Sequence, residues 1–560
     1  MAGVRRASGP PVRPEAAQEA LRPPLVCSRR DALKTLLALP LATLPGCSSP
    51  VTFTGEIVGA AMSLGHRVRE LAAVDAKTIP SRRTDVVIVG GGLAGLSAGW
   101  RLKRAGRTDF ALLEVEPRPG GTAASGRSEV TAYPWGAHYV PTPGPDNPAL
   151  IEILRELGAV ESVAAEGTPL FAEQFLCREP EERIFQNGQW HEGLYPGDDA
   201  TEADLAELKR FQAEIDRWVA WRDDAGRRAF TLPLAHCSRH PEVTSLDHIS
   251  MGQWLDQHEL SSHRLRWLID YSCRDDYGST INETSAWAGL FYFASRQPAA
   301  GAESAPLLTW PEGLGRIVDH LAQSIGDRIH TGTAALRIEP SPEGLVDVVA
   351  FSAAENKLVR WTARQVVLAI PQFVVPYVVP ALPEERKQAC RAFEYGSWLV
   401  ANVHLRGRPS NTGFEPAWDN VFYDSRSLGY VTATHQSGRD HGPTVWTWYL
   451  PLSDFPPRDA RAWLQGLTWE QASQLAVSDL ETAHPDIRSL ITRVDVMKWG
   501  HAMVRSKPGF IWGPDRERAA APWNGIHFAG TDLSGIPLCE EAIHHGVRAA
   551  DEVLTSLGMS

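Results

Sequence analysis

Three glycines near residue 90 have the spacing that holds a phosphate group. Residues 90–95 read GGGLAG, which fits G-x-G-x-x-G, and they directly follow the apolar, β-branched run at residues 86–89. In this pattern Gly90 permits a tight turn out of a strand, Gly92 lets a pyrophosphate approach the backbone, and Gly95 lets a helix pack close to the sheet. The helix start adds free N–H groups and a partial positive charge. A glycine-rich turn without a ligand is the alternative, but strand, glycines and helix stand in the order that a phosphate site requires.

A carboxylate stands where the ribose of a dinucleotide would lie. A second apolar run, residues 110–113, ends on Glu114, which is 19 residues beyond Gly95. At the end of a second parallel strand a carboxylate can hold the ribose hydroxyls. Strand, glycine turn, helix, strand and acid together predict one βαβ unit that binds a dinucleotide. The motif alone leaves both NAD and FAD open.

Three further segments carry a family resemblance. Residues 116–122 (EPRPGGT) resemble the E-x-x-x-x-G-G continuation of FAD-binding Rossmann domains. Residues 525–532 (GIHFAGTD) resemble the strand and acidic turn that close over the ribityl chain and flavin, and residues 541–550 (EAIHHGVRAA) resemble the terminal A-x-x-x-G-x-x-A-A helix. Together with the glycine motif, they resemble the flavin-containing amine oxidoreductase superfamily, which includes monoamine and polyamine oxidases, L-amino acid oxidases and polyene desaturases.

The resemblance implies an α/β fold with two domains and FAD as cofactor. A Rossmann-type FAD-binding domain would be assembled from residues 84–145, 310–371 and 490–558, and a substrate-binding domain from residues 146–309 and 372–489. Strand-like runs in the second part of the substrate domain predict an antiparallel sheet with helices packed on it. The positions that match the family's cofactor-binding motifs are Gly90, Gly92, Leu93, Ala94, Gly95, Glu114, Arg118, Gly120, Gly121, Thr122, Ala137, Ala335, Gly530, Asp532 and Cys539.

Two residues are candidates for proton transfer. His138 stands in a segment, residues 133–139, that resembles the family's D-x-G-A-H-W stretch beside the flavin ring, where a histidine either carries a proton or serves as scaffold. Asp276, with its neighbours Asp275 and Tyr277, could act as a general acid or base if it is buried in a pocket. The alternative for Asp276 is a solvated turn where a helix ends.

Two positions depart from the amine oxidases of the family. Val400 occupies the place of the lysine that holds a water near flavin N5, and Leu538 occupies the place of one of two aromatic residues that stack before the flavin. Leucine lacks the π-face that attracts an amine cation. Both changes predict a more apolar site, which favours a lipophilic C–H or C=C substrate and predicts poor turnover of ordinary monoamines.

Composition excludes several classes of protein. The chain has 560 residues and a formal net charge of −12, with no sustained basic stripe, so nucleic acid is not an expected partner. The seven cysteines include no CxxC pair, and no histidine cluster gives them zinc-type spacing. Neither a metal site nor a disulfide framework is therefore predicted. The 19 tryptophans are read mainly as core residues, with some lining an apolar substrate channel as the alternative.

Residues 1–50 predict an export signal rather than part of the fold. Residues 28–34 (SRRDALK) resemble the twin-arginine signal, and a short apolar run follows them. Because that run is too short to span a bilayer, it is read as a signal-peptide core. Residues 44–47 (LPGC) resemble a lipobox ending on Cys47, although Pro45 stands where that motif has a small residue. The expectation is folded export through the translocase to the periplasm, with a lipid anchor at Cys47.

These features together predict an exported FAD-dependent oxidoreductase that accepts a hydride from a small amine or an apolar organic substrate. A polyene or lipid desaturase or isomerase of the same superfamily is one alternative. A membrane-anchored flavoprotein that transfers electrons or binds a partner, without a substrate of its own, is another. Oxygen and a quinone both stay open as the electron acceptor.

Overall fold

Two large sheets and the helices around them form the part of the chain that the computed structural model describes, residues 53–69, 78–164, 167–195, 197 and 199–558. The predicted export signal at Arg29 and Arg30 and the predicted anchor at Cys47 lie outside these residues.

The strands, in chain order, are β1 Ser81–Val89, β2 Phe110–Leu113, β3 Ser125–Arg127, β4 Ala132–Pro134, β5 Tyr139–Pro141, β6 Val160–Val163, β7 Pro169–Phe171, β8 Glu182–Gln186, β9 Gln189–Glu192, β10 Leu307–Thr309, β11 Ile329–His330, β12 Thr333–Pro340, β13 Val346–Ser352, β14 Lys357–Leu368, β15 Tyr395–Leu405, β16 Asp419–Phe422, β17 Gly429–Thr432, β18 Thr444–Pro451, β19 Ile491–Val504 and β20 Ile526–Phe528. The α-helices, in chain order, are α1 Met62–Gly65, α2 Leu93–Arg104, α3 Pro148–Glu156, α4 Glu202–Ala220, α5 Pro241–Thr244, α6 Met251–Gln257, α7 His263–Tyr277, α8 Ala286–Ala294, α9 Gly315–Ile325, α10 Val375–Val378, α11 Glu384–Arg391, α12 Pro457–Gly466, α13 Trp469–Ala483, α14 Pro514–Ala520 and α15 Cys539–Ser556.

The first sheet contains the predicted dinucleotide unit. Its strands lie in the order β11-β2-β1-β14-β13-β12, and β20 pairs with β14. β1 pairs in parallel with both β2 and β14, so the glycine turn after Val89 lies at the carboxyl edge of neighbouring strands. Open α/β sheets bind their ligands at this edge. β12, β13 and β14 form an antiparallel extension.

Helix packing holds the glycine turn against the last helix of the chain. α2 begins directly after the glycine turn, and α15 packs along it. A Cβ atom at Gly546 in α15 would lie 2.2 Å from the carbonyl oxygen of Ala94, so only glycine allows this approach. Buried side chains of β1, α2, α9 and α15 share one hydrophobic core. The two segments that carry the family motifs therefore pack together.

The second sheet corresponds to the predicted substrate domain, with one strand from outside its predicted range. Its order is β19-β15-β18-β17-β16-β8-β9. The pairings are antiparallel, as predicted, except that β8 and β16 run parallel. β19 lies within the range 490–558 predicted for the FAD-binding domain, yet it hydrogen-bonds along β15. β15 is buried along its whole length, so its backbone groups need a strand partner at both edges.

The second sheet has two chemically different faces, because successive side chains of a strand point in opposite directions. One face, called here the near face, carries Val400 and Tyr449 and packs against the segment at residues 133–139. The other, called the far face, carries Trp446 and Trp448 and packs against α13. The near face therefore lies toward the predicted flavin segment.

The described part of the chain contains neither a disulfide nor a membrane-spanning helix. Its five cysteines, Cys177, Cys237, Cys273, Cys390 and Cys539, are all free thiols. None of its helices is long and apolar enough to cross a bilayer.

Candidate active site

The glycine turn leaves an open space where a phosphate would lie. Gly90 has a φ of +103°, and a Cβ atom there would lie 2.2 Å from the carbonyl oxygen of Ala369. A Cβ atom at Gly95 would lie 1.9 Å from the carbonyl oxygen of Gly90, so the helix start packs tightly on the turn. In contrast, a Cβ atom at Gly92 would meet no atom of the described residues within 4 Å. The three glycines therefore differ in the way that the motif predicts.

A second glycine pair borders this open space. Gly92 and Gly120 form a β-bridge, and a Cβ atom at Gly121 would lie 3.5 Å from the Cα atom of Gly92. Gly121, Thr122 and Arg118 are exposed. The segment that resembles the flavoprotein motif thus lies beside the glycine turn, with polar groups open to a ligand.

Glu114 lies at the end of β2, next to the same turn. Its two carboxylate oxygens accept hydrogen bonds from the backbone N–H groups of Gly91 and Glu116 at 2.5 and 2.7 Å. Burial raises the pKa of Glu114 to about 7. A buried carboxylate beside the turn is the group that a ribose diol would need as acceptor.

Two other predicted cofactor residues connect separate segments of the site. The N–H of Ala137 donates to the carbonyl oxygen of Thr122 at 3.0 Å, which joins the His138 segment to the second glycine pair. Asp532 is buried and accepts hydrogen bonds from the Gln372 N–H at 2.9 Å and the Tyr395 hydroxyl at 2.6 Å. Burial raises the pKa of Asp532 to about 6.

The last predicted cofactor positions lie at element ends. Gly530 has a φ of +146° before its turn, Ala335 lies at a bulge in β12, Cys539 begins α15, and Leu93 and Ala94 form the first turn of α2. No side chain caps the amino terminus of α2 or α15. The backbone donors and partial positive charge of α2 are therefore available to a pyrophosphate, whereas the first turn of α15 already carries Glu540 and Glu541. With the open space at the glycine turn, these residues fit FAD.

His138 lies among aromatic rings at the near face of the second sheet. Its ring stacks on Tyr449 with centroids 4.9 Å apart and lies 5.4 Å from the ring of Trp418. Burial lowers the pKa of His138 to about 4, so the imidazole is neutral near pH 7. Nδ1 lies 3.1 Å from the carbonyl oxygen of Gly136, which can only accept, so Nδ1 carries the proton. Nε2 therefore bears the lone pair.

Asp276 is held in a buried ion pair. α7 ends at Tyr277, as the helix-end interpretation requires, but Asp276 is only 4% exposed, so the solvated-turn alternative is wrong. Both carboxylate oxygens accept from Nη2 of Arg296, at 2.9 and 2.7 Å. Burial raises the pKa of Asp276, and the guanidinium opposes that shift. The Tyr139 hydroxyl lies 3.5 Å from the same carboxylate, so Asp276 fixes two side chains in place.

Three more carboxyl groups lie in this region, and none of the described residues forms an ion pair with them. They are Asp275 in α7, Glu182 in β8 and Asp419 in β16. The Tyr139 hydroxyl donates to Asp275 at 3.3 Å, and the Tyr271 hydroxyl donates to Asp419 at 3.2 Å. Glu182 and Asp419 are register partners on their parallel strands. This group of three is called here the acid cluster.

The acid cluster borders accessible space. Glu182, Asp275 and Asp419 are all half-buried, so each keeps surface beside which a ligand has room, and this space is called here the cavity. Burial, and then Glu181 and Glu179, raise the pKa of Glu182 to about 7. Burial, and then the other two acids of the cluster, raise the pKa of Asp419 well above its usual range. Burial and the charge of Asp276 likewise raise the pKa of Asp275. A cation that enters this cavity would ionise the acids and be attracted by them.

Sequence reasoning missed most of this cavity. Glu182 and Asp419 are in phase with Ile184 and Val421 on their strands, so strict alternation would have shown an inward-facing acid on each. Arg296 follows α8 in a segment without a motif. Only the tertiary structure brings it to α7.

The two departures from the amine oxidase pattern lie in different hydrophobic clusters. Val400 is 1% exposed on the near face and pairs with Tyr449 and Met497 on the neighbouring strands. Leu538 is half-buried at the start of α15. The acid cluster is a feature of this region that these two substitutions do not predict, and the more apolar substrate site that they predict stays a prediction.

Comparison with known proteins decides the family. A family model described as flavin-containing amine oxidoreductase matches residues 93–554. The chain belongs to this family. It is therefore an FAD-dependent oxidoreductase of the amine oxidase type, as the motifs at both ends predict.

Relatives in this family cover most of the chain. A probable flavin-containing monoamine oxidase A from Dictyostelium discoideum is 22% identical over 508 residues, covering 84% of this chain and 98% of the relative. An L-amino acid dehydrogenase from Synechocystis is 21% identical, covering 81% of this chain and 91% of the relative. A structure of putrescine oxidase bound to putrescine has a TM-score of 0.63 and 19% identity, covering 85% of this chain and 100% of that one. This likeness confirms the predicted fold.

Proposed function

We propose that this member of the amine oxidase family oxidises an aliphatic amine that carries a second cationic group. The observation that carries the proposal is the acid cluster, whose carboxyl groups form no ion pair with the described residues and lie beside aromatic rings. Three acids exceed what one ammonium group needs. The putrescine-bound oxidase among the structural neighbours supports a diamine, since putrescine carries two amino groups.

The chain's own residues supply binding and orientation for this reaction. When bound, FAD would supply hydride acceptance, and loss of a hydride from the carbon beside the neutral amine nitrogen would leave a protonated imine. Glu182 and Asp419 would hold the distal ammonium from paired strands. Trp418 and Tyr449 would pack along the aliphatic chain, where they exclude water. The lone pair on Nε2 of His138 could accept a hydrogen bond from the reacting amino group.

Charge explains why such a cavity would prefer a substrate with two cationic groups. Unit charges 4 Å apart attract by about 4 kcal/mol at an effective dielectric constant of 20. The raised pKa values mean that, in the absence of a cation, ionising the acids of the cluster costs free energy. Each ammonium group that enters removes part of this cost. A monoamine leaves more of it in place.

Stopped-flow reduction of the purified holoenzyme by putrescine, n-butylamine and benzylamine tests the proposal. Loss of the oxidised flavin absorbance reports hydride transfer. We expect kcat/KM for putrescine to exceed that for the monoamines by at least about tenfold, which corresponds to 1.4 kcal/mol. Asp419→Asn should raise KM for putrescine by a similar factor and leave n-butylamine almost unchanged.

Asp424→Asn is the matched control, because Asp424 follows the same strand but is exposed. It should leave both substrates unaffected. Equal reduction by putrescine and n-butylamine would contradict the second cationic group. Reduction by a fatty acid or polyene alone would contradict an amine substrate.

We also propose that the protein is exported in folded form and anchored by lipid at Cys47. The twin-arginine resemblance at Arg29 and Arg30 supports export, and the lipobox resemblance supports the anchor. The export translocase would be its protein partner. The electron acceptor, oxygen or a quinone, would be met outside the cytoplasm.

A further inference from the structure

A cleft opens on the far face of the second sheet, away from the acid cluster. Its volume is about 640 Å³, within the range of small-molecule sites. Arg183, Arg408, Tyr430 and Trp446 line it. Strand alternation turns Arg183, Tyr430 and Trp446 away from the near face. This cavity, called here the far-face cleft, is therefore separate from the amine site.

Arg183 is a buried cation without a carboxylate partner among the described residues. It is 1% exposed. Nε and Nη1 donate to the side-chain oxygens of Asn420 and Asn411 at 2.6 and 2.5 Å, and Nη1 also donates to the Phe414 carbonyl oxygen at 3.0 Å. Nη2 donates to the Tyr430 hydroxyl at 3.3 Å. Burial lowers the pKa of Arg183, so an anion nearby would remove an energetic cost.

Two N–H groups of the far-face cleft lack an acceptor. Nε of Arg408 and Nε1 of Trp446 are buried and have no hydrogen-bond partner in the described chain. Arg408 otherwise donates from Nη2 to the Thr434 hydroxyl at 2.7 Å and to the Arg439 carbonyl oxygen. Trp446 is 4% exposed. Both groups are donors that a bound acceptor could pair with.

The acceptors next to these donors are already in use. Nδ1 of His484 lies 3.1 Å from the Ser410 carbonyl oxygen, so Nδ1 carries the proton and Nε2 accepts from the Tyr430 hydroxyl at 2.8 Å. The inner wall thus presents donors and positive charge. The carboxylates that also line the cleft are exposed, and water screens them: Glu179, Glu192, Glu415 and Asp440.

We propose that the far-face cleft binds a small organic carboxylate with an apolar or aromatic body. The carboxylate would take the unpaired donors of Arg408 and Trp446 and compensate the charge of Arg183. Pro409, Phe414 and Pro416, which also line the cleft, provide apolar surface for the body of the ligand. An anion of this kind fits this cleft better than the acid cluster, which repels it.

The cleft and the amine site share two strands. Arg183 follows Glu182 in β8, and Asn420 follows Asp419 in β16, so each strand carries one residue for each site. A carboxylate bound behind the sheet neutralises positive charge that otherwise repels an ammonium on the near face. Bound carboxylate should therefore lower KM for putrescine about two- to tenfold. This consequence rests on the proposed function, whereas the binding site does not.

Isothermal titration of phenylbutyrate into the FAD-loaded protein tests the site. We expect a dissociation constant below about 1 mM, and weaker binding of inorganic phosphate, which lacks the apolar body. Arg408→Gln should weaken phenylbutyrate binding at least about tenfold, and Trp446→Phe, which keeps a ring but removes the N–H, should weaken it as well. Arg406→Gln is the control, since Arg406 is exposed and lies outside the cleft.

Flavin content and melting temperature show whether the variants are folded. If Arg408→Gln misfolds, Arg408→Lys keeps the charge but removes the Nε donor and should still weaken binding. The site would be overturned if the wild type did not bind phenylbutyrate. It would also be overturned if Arg408→Gln and Trp446→Phe bound phenylbutyrate as tightly as the wild type does. Binding with an unchanged KM for putrescine, in an enzyme that does oxidise it, would overturn the coupling.

Discussion

Glu182 of the acid cluster occupies a position where an ionised carboxyl group lowers the free energy of unfolding. Glu182 is buried near other acids, and its pKa rises from its ordinary value to about 7. The folded state therefore binds a proton more tightly than the unfolded state, so stability falls as pH rises from about 4.5 to 7. A residue retained at such a cost is more easily explained by a ligand than by packing.

Glu182→Gln should separate stability from activity. The variant's free energy of unfolding minus that of the wild type should increase by about 1–3 kcal/mol from pH 5 to pH 8. One pKa unit is worth about 1.4 kcal/mol, and the partial exposure of Glu182 reduces the effect. Thermal melts at the two pH values measure this difference. Over the same range kcat/KM for putrescine should increase in the wild type as Glu182 ionises, and the variant should lose much of that increase. A variant that is destabilised at pH 8 would show that Glu182 is structural.

Substitutions at two glycines of the turn should affect cofactor binding and folding separately. Gly92→Val should fold, since open space surrounds the Cβ position, but its side chain would fill the place of the pyrophosphate. We expect loss of the yellow flavin and no rise in melting temperature when FAD is added. Gly95→Ala should instead lower the free energy of unfolding by about 1–3 kcal/mol through overpacking, because its Cβ atom would meet the Gly90 carbonyl oxygen. Gly466→Val, at an exposed and open position, is the control. A Gly92→Val protein that retains FAD would contradict the assignment of this space.

At the scale of elements, sequence patterns predicted structure that is formed by residues contiguous in the chain. The strand, turn and helix around Gly92 are contiguous, so their order in the sequence is also their order in space. The partnership of β8 with β16 joins Glu182 to Asp419, and neither strand specifies its partner locally. The acid cluster depends on this pairing. The sequence consequently predicted FAD as the cofactor, whereas the acid cluster depends on a strand pairing that it did not predict.

The contact between α2 and α15 offers a test at the same scale. A Cβ atom at Gly546 would lie 2.2 Å from the carbonyl oxygen of Ala94, so Gly546→Val should force the helices apart. We expect a loss of about 1–3 kcal/mol in stability from overpacking, and weaker FAD binding because the uncapped starts of both helices shift. Thermal melts and flavin fluorescence after dialysis measure the two effects. Unchanged flavin retention in a destabilised protein would mean that helix position does not set cofactor affinity.

At the scale of the whole molecule, the FAD site joins distant parts of the chain. The glycine turn near residue 90 and the start of α15 at Cys539, both predicted cofactor positions, begin helices that pack together. FAD therefore cannot be fully enclosed until the chain has been made through α15 and folded. A flavoprotein of this design is loaded most simply in the cytoplasm, which is consistent with a folded export route.

The export proposal makes the last prediction, and it separates Arg29 and Arg30 from Cys47. Because the export receptor reads the arginine pair, Arg29→Lys with Arg30→Lys should leave folded, FAD-loaded protein in the cytoplasm. Cleavage before Cys47 would remove 46 residues and leave 560 − 46 = 514. Each buried methylene of an attached acyl chain contributes about 0.8 kcal/mol, and one chain alone binds a membrane only marginally, so several chains are needed for a stable anchor.

Cys47→Ala should then yield a soluble periplasmic form or an unprocessed precursor, whereas the lysine variants should retain FAD inside the cell. Fractionation followed by mass measurement distinguishes these outcomes. A wild type found free in the periplasm without added lipid mass would show that Pro45 prevents lipidation and would leave export intact. A cytoplasmic wild type would overturn export itself, while the FAD site, which is built from the described residues alone, would be unaffected.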